Sequence, residues 1–393
     1  MSMQPATHKR IDPAEFARMK KALGNLSRAV RARKTDPGYA APYPEEIGIQ
    51  LTYRCNIRCD HCFQWNDKGF FRHLSQQDAR DELSAEVFEK ILFETREARS
   101  NLYLWGGEPT VHKEWDALSR MIETDPRWSV ICTNGLMLER KLESILRISA
   151  HTVLLVSLDG FQAQNDAIRG QGTFEKIIKN IHLIRDLQKR GEYKGKLSIS
   201  LVLSDENIPD LYEFAEYCES LGGVDSLYLV YPWYITEAVA KRMDAYYRTH
   251  FSWLRNLPCQ PKPSWHSYTH HVTADKARIL RECIDKLTRR AWNIRLRLQP
   301  ALEADEFEHF IMGAEYTGQR RSQCLSISNR MDVLADGSVS SCKLYPEFGV
   351  GNLYQEGVLD IWHGENFRRV REILGKGLTP ACSKCVLLYL HGH

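Results

Sequence analysis

The stretch Leu51–Asn66, "LTYRCNIRCDHCFQWN", decides the reading of this chain. It sets Cys55, Cys59 and Cys62 at C-x3-C-x2-C spacing, on a loop that follows the strand-like run "EIGIQLTY". A closed structural zinc site takes four ligands, and a fully protein-ligated cubane cluster takes four cysteines. Three thiols leave one coordination position without a local protein ligand, which is what a metal needs to bind a substrate or cosubstrate. Catalytic zinc favours histidine or carboxylate among its ligands, so a [4Fe–4S] cluster with an open iron is the better reading. A remote fourth ligand, such as His61 or one of the scattered cysteines, stays open as an alternative.

Outward from the loop, further strand-length apolar runs follow at "NLYLW", "WSVICT", "TVLLVS", "KLSISLVL" and "SLYLVY". Helical patterns separate most of them. "LSAEVFEKILFETREAR" places Val87, Phe88, Ile91 and Leu92 near one face, and "GTFEKIIKNIHLIRDLQKR" does so with Ile177, Ile178, Ile181 and Ile184, with Thr173 as its N-cap. Strands alternating with helices predict βα units and a parallel sheet. The expected class is α/β: a partial (β/α)6 TIM-like barrel with a small C-terminal α+β domain. Chemistry in such sheets sits on loops at the carboxyl ends of the strands, where the three-thiol loop falls.

The rest of the chain divides around this core. Residues 1–45 read as a basic helix with a solvated face and a proline-broken linker. Residues 46–231 form the core. Residues 232–310 read as an aromatic-rich helical connecting region in which no histidine stands out as a ligand or base. Residues 311–393 read as a second domain, with a hairpin around Asp336–Gly337 and one helix over "VLDIWHGENFRRVREIL".

The chain has 393 residues, 43% hydrophobic, with 53 basic and 50 acidic side chains and a formal net charge of +3. So even a balance predicts neither nucleic acid nor a charged membrane as partner. No signal peptide and no transmembrane run is visible, so a cytoplasmic protein is expected. In a reducing compartment the 11 cysteines point to metal or catalysis. Beside the first group stands a second, Cys324, Cys342, Cys382 and Cys385, a full set for a cubane or for zinc. Cys132, Cys218, Cys259 and Cys283 read as buried small hydrophobes.

"CNIRCDHCF" resembles the signature loop of radical SAM enzymes, including the aromatic Phe63 after the third cysteine. "WGGEPT" (105–110), "CTNG" (132–135), "VSLDG" (156–160) and "AIRGQGTFEKI" resemble the following elements of that family, in order. The resemblance implies that Cys55, Cys59 and Cys62 hold a [4Fe–4S] cluster whose open iron binds S-adenosylmethionine (SAM). Reductive cleavage of SAM then gives a 5′-deoxyadenosyl radical that abstracts a substrate hydrogen. It implies that Gly106 and Gly107 let backbone approach the methionine amino group, and that Ser157 and Arg169 meet its carboxylate. Glu108 would shape its loop or hydrogen-bond SAM, and a flavodoxin- or ferredoxin-type donor would supply the electron.

The segment from "CLSISNRMDVLADGSVSSC" to "CSKC" resembles the SPASM/Twitch domain of the same superfamily. No cysteine follows Cys385, so one auxiliary [4Fe–4S] cluster, closed by four thiols, is implied. A closed auxiliary cluster beside the core resembles dehydrogenases of sugar or aminocyclitol pathways. Oxidation or rearrangement of such a small polar metabolite is therefore the first expectation. A peptide-modifying maturase that forms crosslinks or epimerised residues is the alternative, and a non-catalytic metal-bearing module the third.

Overall fold

The computed structural model describes residues 3–254, 262–313 and 320–392. Cys259 lies outside them. All six core strands expected from sequence form, among twelve in the described residues. In chain order they are β1 (Ala6–Thr7), β2 (Glu46–Gln50), β3 (Asn101–Trp105), β4 (Ser129–Thr133), β5 (Thr152–Ser157), β6 (Lys196–Val202), β7 (Val224–Val230), β8 (Ala291–Trp292), β9 (Arg295–Gln299), β10 (Arg330–Val333), β11 (Ser338–Ser340) and β12 (Gly349–Asn352).

Ten of them make one curved sheet, in the order β12-β11-β10-β2-β3-β4-β5-β6-β7-β9. Every pairing from β10 across to β9 is parallel, and the antiparallel pairings, β10 with β11 and β11 with β12, lie at one edge. The core alternates with period two. Leu102, Leu104, Ile131, Leu154, Val156, Ile199 and Leu201 are buried. Their neighbours Tyr103, Cys132, Leu155, Ser157 and Ser200 line the concave side.

Helices cover the outer face for the reason their pattern gave. Ala85–Glu94 buries Val87, Phe88, Ile91 and Leu92, and Ser84 caps it by accepting from the Val87 N–H at 3.3 Å. The helix Thr173–Lys189 is capped differently from expectation. Gly172, in the left-handed region at φ +75°, occupies the N-cap. Asp166 accepts from the Gly172 and Phe174 N–H groups, each at 2.8 Å. The helix expected over "VLDIWHGENFRRVREIL" is two, Val358–His363 and Glu365–Gly375, parted by the extended Gly364.

The sheet also draws strands from either side of the 46–231 core. The region 232–310 holds the helices Glu237–His250 and Ala274–Thr288, but it also supplies β9, which extends the sheet beyond β7. The hairpin around Gly337 forms as expected, and its first strand, β10, lies parallel to β2 in the same sheet. Arg330 and Asp332 on β10 are buried and share a two-point ion pair, at 2.9 and 2.6 Å, which Glu46 on β2 joins from the Arg330 side. A Cβ on Gly48 would collide with both side chains, so glycine is required there.

The N-terminal helix, Pro13–Arg33, keeps most of its basic face in solvent, burying only Ala29 and Arg33, and its ends strap it to the barrel. Its Glu15 pairs with Arg295 at the start of β9 and Lys196 at the start of β6. Lys9 pairs with Asp225 near the start of β7. At its far end the buried Arg33 donates to Ser328 Oγ at 3.0 Å and to the Arg371 carbonyl at 3.3 Å. Phe16, Met19 and Leu23 stay exposed on the strap's outer side. Among the described residues no helix is long and apolar enough to cross a membrane.

Arg330→Met leaves Asp332 buried without its partner. Loss of one member of a buried pair costs about 3–5 kcal/mol, and a lowered urea midpoint with an unchanged slope is the expected result.

Candidate active site

A cavity of ≈ 320 Å³ opens at the carboxyl ends of the strands. Cys55, Cys59 and Cys62 line it together with Gly106, Gly107, Ser157 and Arg169. The sequence therefore marked residues that the fold does gather at one mouth. Lys343, Leu344 and Val386 of the C-terminal segment also reach it.

The three-thiol loop is held by its own backbone and by the loops beside it. The Cys62 N–H donates to the Cys59 carbonyl at 3.0 Å, and the Trp65 N–H points to Cys62 Sγ at 3.4 Å. Arg58 donates to the Cys55 carbonyl at 2.9 Å and lies over the Trp65 ring. The Gly107 and Glu108 N–H groups donate to the Thr52 and Arg54 carbonyls, both at 2.8 Å. A Cβ on Gly106 would sit 2.7 Å from the Thr52 oxygen, and one on Gly107 would overlap the Arg54 carbonyl. The glycines are thus needed for loop-on-loop packing, a reason separate from the room for a ligand expected of them.

Glu108 is buried and acts as a clasp. One carboxylate oxygen accepts from the Thr110 N–H at 3.1 Å and Thr133 Oγ1 at 2.8 Å, the other from the Asn134 N–H at 2.7 Å. Burial raises its pKa and these hydrogen bonds oppose the rise. Both oxygens are occupied, as a loop-shaping role requires.

Arg169 is committed to a partner that sequence reasoning missed. Its Nε lies 2.7 Å from Asp159 Oδ2, and Asp159 is fully buried in the "SLDG" turn. One guanidinium nitrogen reaches Cys59 Sγ at 3.8 Å. Burial works against the Arg169 charge, but Asp159 and Cys59 outweigh it and hold its pKa above the ordinary value. His61 Nε2 stands 3.7 Å from the same Asp159 oxygen, and burial pushes the His61 pKa down to about 4. The signal for Asp159 was present, since an acid in "SLDG" precedes an arginine on the next helix.

Phe63 stacks on Tyr268 with centroids 4.9 Å apart at 18°, and Trp233 lies 5.7 Å away. The Tyr268 hydroxyl donates to the Leu344 carbonyl at 2.5 Å. An aromatic bridge therefore runs from the first thiol loop to the segment bearing Cys342. His270 joins the wall, 5.5 Å from the His61 ring. Of the scattered cysteines, Cys218 is buried as expected, whereas Cys132 lines the cavity and Cys283 is half-buried.

The second thiol group also gathers. Cys342, Cys382 and Cys385 each feel the charge of Cys324. The Cys385 N–H donates to the Cys382 carbonyl at 3.0 Å, and Thr379 Oγ1 lies 3.1 Å from Cys382 Sγ. A bridge between Cys324 and Gly392 ties the chain's end to the group.

Iron–sulfur clusters suit both sets of donors. Burial pushes the Cys55 thiol up to about 11, Cys59 to about 12, Cys382 to about 11 and Cys385 to about 12. Thiols so placed ionise when a cationic centre sits against them. Among the described residues no three His, Cys, Asp or Glu side chains converge as ligands of a single ion. The first three thiols instead stand round a cavity wall that has room for a larger group.

Residues 49–218 match the radical SAM superfamily, and residues 324–386 match SPASM, an iron–sulfur cluster-binding domain. A half-open parallel barrel with this loop set and a cysteine-rich C-terminal segment defines a cluster-bearing SAM enzyme. The chain belongs to the radical SAM superfamily and carries a SPASM domain, which together imply a SAM-binding [4Fe–4S] cluster and auxiliary iron–sulfur. It is 26% identical over 344 residues to the mycofactocin maturase MftC of Mycolicibacterium smegmatis, a match covering 86% of this chain and 74% of the relative. It is 21% identical over 370 residues to the antilisterial bacteriocin subtilosin biosynthesis protein AlbA of Bacillus subtilis, covering 92% and 69%. The match to pre-heme d1 synthase of Dinoroseobacter shibae, 30% identical over 199 residues, covers 50% of this chain and 45% of the relative. The fold is similar to that of Streptococcus suis SuiB bound to its precursor peptide SuiA, with a TM-score of 0.57 at 17% identity, over 88% of this chain and 70% of that one.

Gly107→Ala forces the "GGEP" loop off the Arg54 carbonyl. Iron bound at the first group is expected to fall in anaerobically reconstituted protein, while far-UV circular dichroism and the auxiliary absorption persist.

Proposed function

We propose that this chain is a peptide-modifying radical SAM maturase. The observation that carries this reading is the extent of similarity. The relatives matched along 86% and 92% of the chain are a maturase and a bacteriocin biosynthesis protein, whereas pre-heme d1 synthase matches along 50%. The first expectation, oxidation of a sugar or aminocyclitol, is the weaker reading beside them.

In this reading Cys55, Cys59 and Cys62 hold the SAM-binding cluster. When bound, the cluster and SAM supply one-electron reductive cleavage and a radical that takes a substrate hydrogen. The protein's part is to hold, orient and exclude water. Ser157, at the end of β5 and facing the cavity, offers its hydroxyl to the SAM carboxylate. Arg169 is a positioning residue in this reading. Tied to Asp159, it turns one donor toward Cys59 and favours its thiolate. Gly106 and Gly107 keep the backbone of their loop at the cavity wall, and Glu108 holds that loop to Asn134. Phe63, Tyr268 and Trp233 form an apolar side that keeps water from a reactive radical.

Cys324, Cys342, Cys382 and Cys385 hold one auxiliary cluster. With four thiols such a cluster would have no open iron, so it would supply an acceptor or relay for the electron given up by the substrate radical rather than a ligand for the substrate. The aromatic contact from Phe63 through Tyr268 to Leu344 joins the two sites physically. A flavodoxin- or ferredoxin-type protein supplies the reducing electron. We place the catalytic barrel across β2 to β10, wider than the 46–231 core, because β9 and β10 complete its edges.

Reduced, anaerobically reconstituted protein is expected to convert SAM to 5′-deoxyadenosine, measured by chromatography, and Cys59→Ala to abolish this. Unchanged turnover in Cys59→Ala would sink the cluster assignment. For the substrate, a short peptide encoded beside the gene should change mass on turnover, and deuterium from its labelled residue should appear in 5′-deoxyadenosine. An unaltered peptide, with deuterium arriving instead from a labelled sugar or cyclitol, restores the first expectation.

Cys342→Ala and Cys385→Ala are expected to lower iron content and stop product formation while SAM cleavage at the first site continues. Zinc found at these thiols by metal analysis would defeat the electron-acceptor role.

A further inference from the structure

The wall of the cavity carries an ammonium group that the reaction described above does not use. Lys343 follows Cys342 and turns into the barrel, where it lines the cavity with Tyr103, Cys132 and Leu155. Its Nζ lies 4.2 Å from the centroid of the Tyr103 ring. Among the described residues Nζ makes no ion pair and no hydrogen bond.

Arg330, Asp332 and the thiols of Cys132 and Cys385 lie close enough to act on it, and the carboxylates round the cavity are engaged elsewhere. Asp332 is held at two points by Arg330, and Glu46 sits on the same arginine. Glu108 has both oxygens occupied, and the other cation on the wall, Arg169, is matched by Asp159. Lys343 is thus a cation facing an apolar, aromatic-sided cavity with a ring face as its neighbour. A charge in such a place is costly unless something pairs with it. The ring offers a modest cation–π attraction, and an incoming anion offers much more.

We propose that Lys343 is a substrate-binding residue that takes a carboxylate deep in the barrel. The carboxylate belongs either to a chain terminus or to an acidic side chain, and it orients the neighbouring carbon toward the thiol mouth. The proposal rests on the maturase reading only for the statement that the substrate is a peptide. Recognition of a carboxylate stands on the cavity itself.

The test uses the reconstituted holoenzyme with SAM at pH 7 and ligand-observed NMR titration. The probes are N-acetyl-phenylalanine, N-acetyl-glutamic acid α-amide and the neutral N-acetyl-phenylalaninamide. One of the two carboxylates is expected to bind about tenfold or more tightly than the neutral amide, the margin of a charge-assisted hydrogen bond. Which one does so separates terminus from side chain. Lys343→Met should erase the preference and Lys343→Arg should keep part of it, both with wild-type iron content and SAM affinity. Equal binding of all three probes by the wild type overturns the proposal without recourse to any variant. So does a Lys343→Met protein that retains the preference, or one whose loss is in SAM affinity instead. A neighbouring peptide left unmodified while the carboxylate preference persists removes the maturase reading and supports the anchor.

Discussion

The close approach of two loops governs this structure. The Gly106–Gly107 backbone lies against the Thr52 and Arg54 carbonyls, so the loop after β3 and the thiol loop after β2 form one unit. Glu108 extends that unit to the loop after β4, and the Asn134 side chain returns to Asn56 at 2.7 Å. The backbone of Asp60 reaches the helix bearing Arg169 through the Ile168 carbonyl at 3.1 Å. A thiol-bearing segment of 34 residues between the end of β2 and Ala85 would otherwise be free to wander, as loops of about that length do. Here it is fixed by main-chain hydrogen bonds at its base and by buried charge at its tip.

The second constraint is the continuity of the sheet. Since β10 pairs with β2, the C-terminal thiols are not carried on a loosely tethered module. They hang from an edge of the same sheet whose strands end at the first thiols. Arg33 from the strap donates to Ser328, and Arg371 donates to the Ile327 carbonyl at 2.8 Å. Cys324 lies in the same neighbourhood, close enough to feel the Arg33 charge. Separation of the two sites is therefore set by rigid elements, a useful property where electrons pass between fixed centres.

Much of this was legible in the sequence because its signals are local. Apolar runs of period two, glycine-rich turns and cysteine spacing each act over a few residues, and they gave the six strands, the hairpin at Gly337 and both thiol groups. What escaped was non-local. Whether β10 joins β2 or makes a separate sheet depends on a pairing across most of the chain, and "RMDV" reads alike in both cases. β9 was hidden because "RLRLQ" lies in a region dominated by aromatic helices. Arg169 lines the cavity, but its buried partner Asp159 becomes evident only when the turn folds back on the helix. Thr173 lost the capping role to Asp166 because the left-handed Gly172 turns the chain so that the carboxylate meets the helix N-terminus.

The seam between β2 and β10 also orders events during synthesis. β2 is among the first strands made, and its outer edge stays open until residues near Arg330 have left the ribosome. Contacts of such long range are slow to form, since loop closure must precede their reward, and an open strand edge invites wrong pairing meanwhile. The first thiol loop can take shape against β3 before that seam closes, whereas the second thiol group has no frame until it does. Maturation of this chain thus has a direction: the cavity's first wall stands early, and the second metal site is finished only once Cys382 and Cys385 have emerged and β10 has docked on β2.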